Sequence, residues 1–177
     1  MQKSIWIFGT IAGILCAVLE YLFFGGEGGN ANVMFLAKIA ILLICIVAGL
    51  ILIRKLMGGV ISIARTIMSG VLISLVRALV MVMAFGFLYY PNGSFYKAKT
   101  QEAWEQAEKK VAVDEKIRPA DKPMELEVIK EQIAALYRPH GYTMITIGGS
   151  LISGLIIAIL MAAFIGTNTM YNEPTKQ

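Results

Sequence analysis

The amino-acid sequence predicts an all-α membrane protein, with four transmembrane helices and a charged helical insertion between the third and the fourth. Hydrophobic residues make up 57% of the 177 residues and charged residues only 16%, whereas soluble domains average about 45–50% and about 25%. Four stretches reach the length of about 20 apolar residues that a bilayer-spanning helix needs. Most of the charge falls in one segment, residues 91–141. These observations exclude a disordered chain, a disulfide scaffold and an ordinary soluble enzyme.

The predicted spans are residues 5–24, 33–53, 60–90 and 142–166. Glu20 interrupts the first span, and Lys38 lies near the start of the second. Arg65 and Arg77 lie in the third, whereas the fourth has no charged residue. No cleavage site of the A-x-A type follows the first span, so we expect an uncleaved helix rather than a signal peptide. The third span would measure roughly 46 Å as one helix, so its first turns are expected at the membrane surface.

The distribution of Lys and Arg predicts the orientation of the spans, because short basic loops stay on the cytoplasmic side. The turn after the second span carries Arg54 and Lys55, while the loop at residues 25–32 has no Lys or Arg. Lys3 and Lys176 lie near the termini. We therefore expect a bacterial inner-membrane protein with both termini in the cytoplasm. The predicted organisation is transmembrane helices 1–3 within residues 1–90, a periplasmic segment at 91–141, the fourth transmembrane helix at 142–166 and a cytoplasmic tail at 167–177.

The charged segment is expected to form two amphipathic helices separated by a proline-containing break at residues 118–123. The first helix has an apolar stripe of Phe95, Trp104, Ala107 and Val111. The second has a stripe of Leu126, Ile129, Ile133 and Leu136. The stripes can pack on each other, on the bundle or on a partner. We favour two helices that cover each other and the bundle, because such stripes are usually packing faces.

Three ionisable residues within the predicted spans, Glu20, Lys38 and Arg77, form a candidate polar cluster, since charges in a bilayer are costly. Glu20 and Lys38 lie at similar predicted depth and are able to pair, and Arg77 is able to reach outward or toward Glu20. In one interpretation the cluster is an ion-linked site with Glu20 as the titrating group. In the other it is a structural set of ion pairs. We favour the structural interpretation, because two cations and one acid do not suit a simple cation-coupled carboxylate.

Small residues spaced four apart mark places where membrane helices approach closely. Such pairs are Gly9 with Gly13, Gly70 with Ser74, Gly149 with Ser153, and Ser150 with Gly154. They indicate a packed bundle and do not by themselves indicate a dimer.

The sequence offers no catalytic constellation. His140 is the single histidine and is interpreted as an interfacial turn residue. Cys16 and Cys45 both lie in predicted spans, so neither a disulfide framework nor a metal site is expected. The glycine run at residues 25–29 follows no strand and is a poor phosphate-binding candidate. We expect no enzymatic activity and no cofactor.

The chain resembles a bacterial family of small integral membrane proteins, the domain-of-unknown-function 4199 family. The resemblance rests on a basic inner turn and the run Gly58-Gly59-Val60-Ile61-Ser62-Ile63-Ala64, which leads into Gly70 and Ser74. The resemblance also rests on an outer Tyr90-Pro91 turn, a Glu/Lys-rich segment and a final Gly/Ser-rich span. The family implies no activity, cofactor or catalytic residue. Two other groups of four-span membrane proteins match the chain less well. Small multidrug transporters are much shorter, and tetraspanins need outer-loop cysteines that this chain lacks.

Two functional hypotheses follow. The first is a non-enzymatic scaffold or accessory subunit of a homo- or hetero-oligomeric membrane complex. The second is a small transporter or channel with Glu20, Lys38 and Arg77 around a polar cavity. The net charge of +4 does not indicate nucleic acid, because nine basic and nine acidic residues cancel within residues 91–141. The excess falls mostly at predicted inner-face positions, where it favours contact with anionic membrane lipids.

Overall fold

The computed structural model of the chain describes residues 2–22, 31–89, 94–114 and 117–165, and their regular structure is helical. The elements are α1 (Gln2–Leu22), α2 (Ala31–Leu56), α3 (Ile63–Ala84) continuing as a π-helix (Phe85–Tyr89), α4 (Ser94–Val113), α5 (Lys122–Leu136) and α6 (Pro139–Ile165). The predicted all-α fold is confirmed. The predicted loop at 25–29, the Tyr90-Pro91 turn and the tail at 167–177 lie outside the described residues.

Four of the described helices are long and apolar enough to cross a membrane: α1, α2, α3 with the start of the π-helix, and α6. Large apolar side chains such as Leu36, Ile44, Ile152 and Phe164 are exposed on them. Apolar side chains on the outside of a helix bundle are expected where lipid tails replace water. The chain therefore has the helices of a multi-pass membrane protein.

The chain divides into two compact units. The bundle unit comprises residues 1–81 and 147–177, and the hairpin unit comprises residues 82–146. The division falls within α3 and within α6, so each of these helices contributes residues to both units.

The bundle unit has one apolar core to which all four membrane-length helices contribute. Its buried residues are Ile5, Leu42, Ile46, Leu50, Ile53, Ile61, Ile73, Val76 and Ile157. The helix α1 packs along α2. Because these branched aliphatic side chains carry no polar atoms, the core supplies packing but no chemistry.

Glycines of α1 allow a close contact between α1 and α3 in the bundle unit. A Cβ atom added at Gly9 would lie 2.5 Å from Val76 Cβ and 2.9 Å from the Ile73 carbonyl oxygen. A Cβ added at Gly13 would lie 2.5 Å from Val80 Cβ. Any side chain at these positions would therefore separate α1 from α3.

The contact between α3 and α6 also uses small residues. A Cβ at Gly70 would lie 2.6 Å from Ala158 Cβ, and a Cβ at Gly154 would overlap the side chain of Ser74. By contrast, a Cβ at Gly149 would meet no atom within 4 Å, and Ser153 is half-buried. Only one of the two interleaved α6 pairs thus faces α3.

The turn between α2 and α3 determines where α3 begins. Gly58 and Gly59 have φ of 78° and 91°, a region that favours glycine. Ser62 then caps α3, since its hydroxyl accepts a hydrogen bond from the Arg65 amide at 3.4 Å and its carbonyl accepts one from the Thr66 amide at 2.9 Å. The helix therefore starts at Ile63, three residues after the start of the predicted span.

In the hairpin unit, α4 and α5 pack against each other as an antiparallel pair. Ala107 and Val111 of α4 are buried, whereas α5 has no buried residue. Leu126, Ile129 and Ile133 are half-buried and Leu136 is 45% exposed. The side chain of Phe95 lies outside the described residues. The two predicted stripes thus pack largely on each other, although the α5 stripe is only partly covered.

An aromatic stack completes the hairpin unit. The rings of Phe85 and Tyr142 lie 3.9 Å apart between centroids with an interplanar angle of 13°. Both residues are buried. The π-helix that begins at Phe85 and the start of α6 are therefore joined by a large apolar contact.

Candidate functional site

An ion pair links the first two helices of the bundle unit. Lys38 Nζ lies 2.9 Å from Glu20 Oε2, so the ammonium donates a hydrogen bond to the carboxylate. The side chain of Glu20 is 8% exposed and that of Lys38 is 23% exposed. Within a membrane, pairing of this kind offsets the cost of removing both charges from water.

Arg77 of α3 is buried and has neutral partners. Its Nε donates to Cys16 Sγ at 3.3 Å, and its Nη1 donates to Ser150 Oγ at 2.8 Å. In the described part of the chain, no carboxylate forms an ion pair with this guanidinium. Arg77 therefore connects α1, α3 and α6 through hydrogen bonds rather than through charge neutralisation.

Cys16 connects the hydrogen bonds of Arg77 with the residues of the Glu20–Lys38 ion pair. Besides accepting from Arg77, its sulfur lies 4.0 Å from the Lys38 carbonyl oxygen, a weak thiol contact. The side chain of Cys16 is fully buried. We call the resulting chain of contacts the polar network; it runs through Ser150, Arg77, Cys16, Lys38 and Glu20, and it touches all four helices of the bundle unit.

The polar network is a hydrogen-bonded set of buried groups together with the half-buried Lys38. Across the described residues, every buried side-chain nitrogen or oxygen has a hydrogen-bond partner. Unpaired polar groups in an apolar interior would cost free energy, so the contacts hold the helices in one rotational register. The network carries two cations and one carboxylate.

The structure brings Glu20 and Lys38 together but gives Arg77 different partners from the carboxylate that the sequence suggested. Sequence reasoning did not identify Cys16 as part of the cluster. A signal for it was present, because Cys16 precedes Glu20 by four residues and so lies on the same face of α1. Ser150 was singled out only for helix packing, and its hydroxyl proves to be a partner of Arg77.

Other candidate positions offer less chemistry. His140 is exposed near the start of α6. Among the residues that the structure describes, no group of three His, Cys, Asp or Glu side chains is placed to hold a metal ion. The polar network is therefore the strongest candidate site in the described part of the chain.

Comparison with known proteins shows that the chain matches the model of one protein family. The model of the family described as "Protein of unknown function (DUF4199)" matches residues 7–167, which include all five residues of the polar network. No curated protein and no solved structure matches the chain.

Proposed function

The chain belongs to the DUF4199 family of proteins of unknown function, and we propose that it acts as a non-enzymatic scaffold or accessory subunit of a membrane complex in the bacterial inner membrane. The bundle unit anchors the protein, and the hairpin unit contacts partner proteins on the periplasmic side.

The observation that carries this proposal is the internal satisfaction of the polar network. Glu20 and Lys38 bond to each other, and Arg77 bonds to Cys16 and Ser150. A group that holds neighbouring helices in place is a structural element, whereas a transport site must exchange its protein partners for cargo. The network therefore favours a rigid anchor.

The hairpin unit supports the role of an interaction module. Its helix α5 has no buried residue, and Met124 and Val128 are 75% and 44% exposed. Its exposed ion pairs, such as that between Arg118 and Asp121, keep the surface soluble. A half-covered amphipathic helix of this composition suits contact with a protein partner in water.

The oligomeric state tests the proposal. Native membranes are extracted directly into lipid nanodiscs, without detergent, and the tagged protein is analysed by native mass spectrometry. We expect a defined homo- or hetero-oligomer that Val128→Glu dissociates, while the control Glu127→Gln, at the adjacent exposed position, leaves it intact. A solitary monomer at native expression level would contradict the proposal.

The orientation is tested separately by thiol labelling. Single cysteines are introduced at Gln106 of α4 and at Lys55 near the end of α2, both exposed positions, while Cys16 and Cys45 are buried. We expect an impermeant reagent to label position 106 in intact spheroplasts and position 55 only after lysis. The opposite result would refute the cytoplasmic assignment of the termini.

A small transporter or channel is the second candidate, and the charge of Arg77 is the observation that favours it. Arg77 bonds to a thiol and a hydroxyl, so its positive charge is not neutralised by an acidic residue in the described part of the chain, and a transported anion would neutralise it. Flux of radiolabelled anions into proteoliposomes tests this function. Saturable uptake that Arg77→Gln abolishes and Arg118→Gln preserves would support transport over the scaffold role.

A further inference from the structure

We propose that the turn between α2 and α3 binds the phosphate headgroup of an anionic phospholipid through Arg54, Lys55 and Arg65. This site is separate from the polar network and goes beyond the scaffold role. It is carried by the charge of the turn, by the way in which its arginines are held, and by the apolar residues beside them.

In the part of the chain that the structure describes, none of the three cations at this turn forms an ion pair with an acidic residue. The sequence contains no Asp or Glu anywhere in residues 28–101. Elsewhere in the described chain, the exposed Arg118 and the half-buried Lys130 form ion pairs with Asp121 and Glu108. The three cations at the turn thus form a concentrated positive patch that attracts anions.

The two arginines are held at the turn by neutral acceptors. Arg54 Nε donates to the Gly59 carbonyl oxygen at 2.7 Å, and Arg65 Nη1 lies 3.6 Å from Met57 Sδ. A guanidinium has five N–H donors, so each arginine is oriented by one contact and keeps most of its donors for an anion. Such a planar, oriented guanidinium suits bidentate recognition of phosphate.

The surface of the turn is open enough for a headgroup. Gly58 and Gly59 are exposed, and a Cβ at either position would meet no atom within 4 Å. Lys55 is exposed at the end of α2. The two glycines therefore leave a stretch of exposed backbone, between the cations of α2 and the cation of α3, with no side chain that would exclude a ligand.

Apolar residues next to the cations identify the ligand as a lipid rather than a soluble phosphate. Leu56, Val60 and Met68 are 63%, 47% and 61% exposed. Leu56 ends α2, Val60 lies in the turn and Met68 lies in α3, and both helices are long and apolar enough to span a membrane. A phospholipid satisfies both features, because its phosphate pairs with the cations while its acyl chains cover the apolar residues.

Lipid affinity in nanodiscs tests the proposal. The full-length protein is reconstituted in phosphatidylcholine with increasing phosphatidylglycerol, and native mass spectrometry measures the retained phosphatidylglycerol. We expect Arg54→Gln/Arg65→Gln to weaken this binding by about 25-fold and Lys55→Gln alone by about fivefold, since each cation near a membrane surface contributes about fivefold. The control Arg118→Gln/Lys130→Gln removes the same formal charge and should leave binding unchanged.

The remaining outcomes overturn the proposal. An equal loss in the control would show that only net charge matters, and unchanged binding in both double variants would show that the turn takes no part. Glycerol 1-phosphate supplied in pure phosphatidylcholine should not raise the unfolding temperature; a rise that depends on Arg54 and Arg65 would identify a soluble-phosphate site instead. The exposed Lys55→Gln variant keeps the test decisive if the double variant misfolds.

Discussion

Each unit of the molecule contains a lysine–glutamate ion pair, and the two pairs differ in their surroundings. In the bundle unit, Glu20 and Lys38 have side chains that are 8% and 23% exposed. In the hairpin unit, Glu108 and Lys130 are 51% and 33% exposed, and Lys130 also lies 5.9 Å from the Trp104 ring centroid. Of these two described pairs, the one in the bundle unit is therefore mostly buried, whereas the one in the hairpin unit is more exposed.

Because of this difference in exposure, we expect polar residues to contribute differently to the stability of the two units. Water readily solvates an exposed charge that loses its partner, so a surface pair contributes at most about 1 kcal/mol. Loss of one partner of the less exposed Glu20–Lys38 pair leaves an uncompensated charge that water solvates poorly, so it costs more than at the surface. We therefore expect the stability of the bundle unit to depend on its buried polar and small residues. The stability of the hairpin unit should depend on the contact between α4 and α5.

The largest effect is expected from a side chain added at the α1–α3 contact. Gly9→Leu would overlap Val76 and the Ile73 carbonyl, and should lower the free energy of unfolding by about 3 kcal/mol. The control Gly149→Leu enters open space and should change it by less than about 0.5 kcal/mol. The free energy of unfolding of both variants is measured from their helicity during SDS titration in mixed micelles. If both variants lose the same free energy of unfolding, the α1–α3 contact at Gly9 is not closely packed.

An intermediate effect is expected within the polar network. Ser150→Ala removes the acceptor of Arg77 Nη1, and should lower the free energy of unfolding by about 2 kcal/mol because a buried charged donor loses its partner. Ser153→Ala, at a half-buried position on the same helix, is the matched control and should lie within about 0.5 kcal/mol of the parent protein. If the two variants unfold alike in the same titration, Arg77 does not depend on Ser150.

The smallest effect is expected in the hairpin unit. Trp104 Nε1 donates to the Lys130 carbonyl at 3.2 Å, so Trp104→Phe should cost about 1 kcal/mol of local stability. Hydrogen exchange of the α4 and α5 amides measures this loss, and the amides of α1 and α2 should exchange as before. Trp6→Phe, at a 61% exposed position, provides the control. Faster exchange throughout the chain would contradict the separation of the two units.

Much of the fold was predictable because it depends on length and apolar composition. The four membrane-length helices and the two helices of the charged segment follow from these properties alone. Helix ends depend on local hydrogen bonds, which composition does not report. The start of α3 after Ser62 is an example, since the predicted span began at the first apolar residue, Val60.

The candidate site was only partly predictable. The proximity of Glu20 and Lys38 follows from their depth in adjacent antiparallel helices. The partners of Arg77 depend on the rotation of α1 and α6 about their own axes, which spacing alone does not determine. In α6, two overlapping small-residue pairs lie about 100° apart around the helix, and only the contacts reveal that Gly154, rather than Gly149, faces α3.

Paired double-mutant cycles measure whether the polar contacts of the polar network stabilise the bundle unit. Glu20→Gln, Lys38→Met and their combination are compared with Glu108→Gln, Lys130→Met and their combination in the same unfolding titration. We predict a coupling energy of about 2 kcal/mol for the Glu20–Lys38 pair and at most about 0.5 kcal/mol for the Glu108–Lys130 pair. Equal coupling energies, or a Glu20–Lys38 value near zero, would contradict the account.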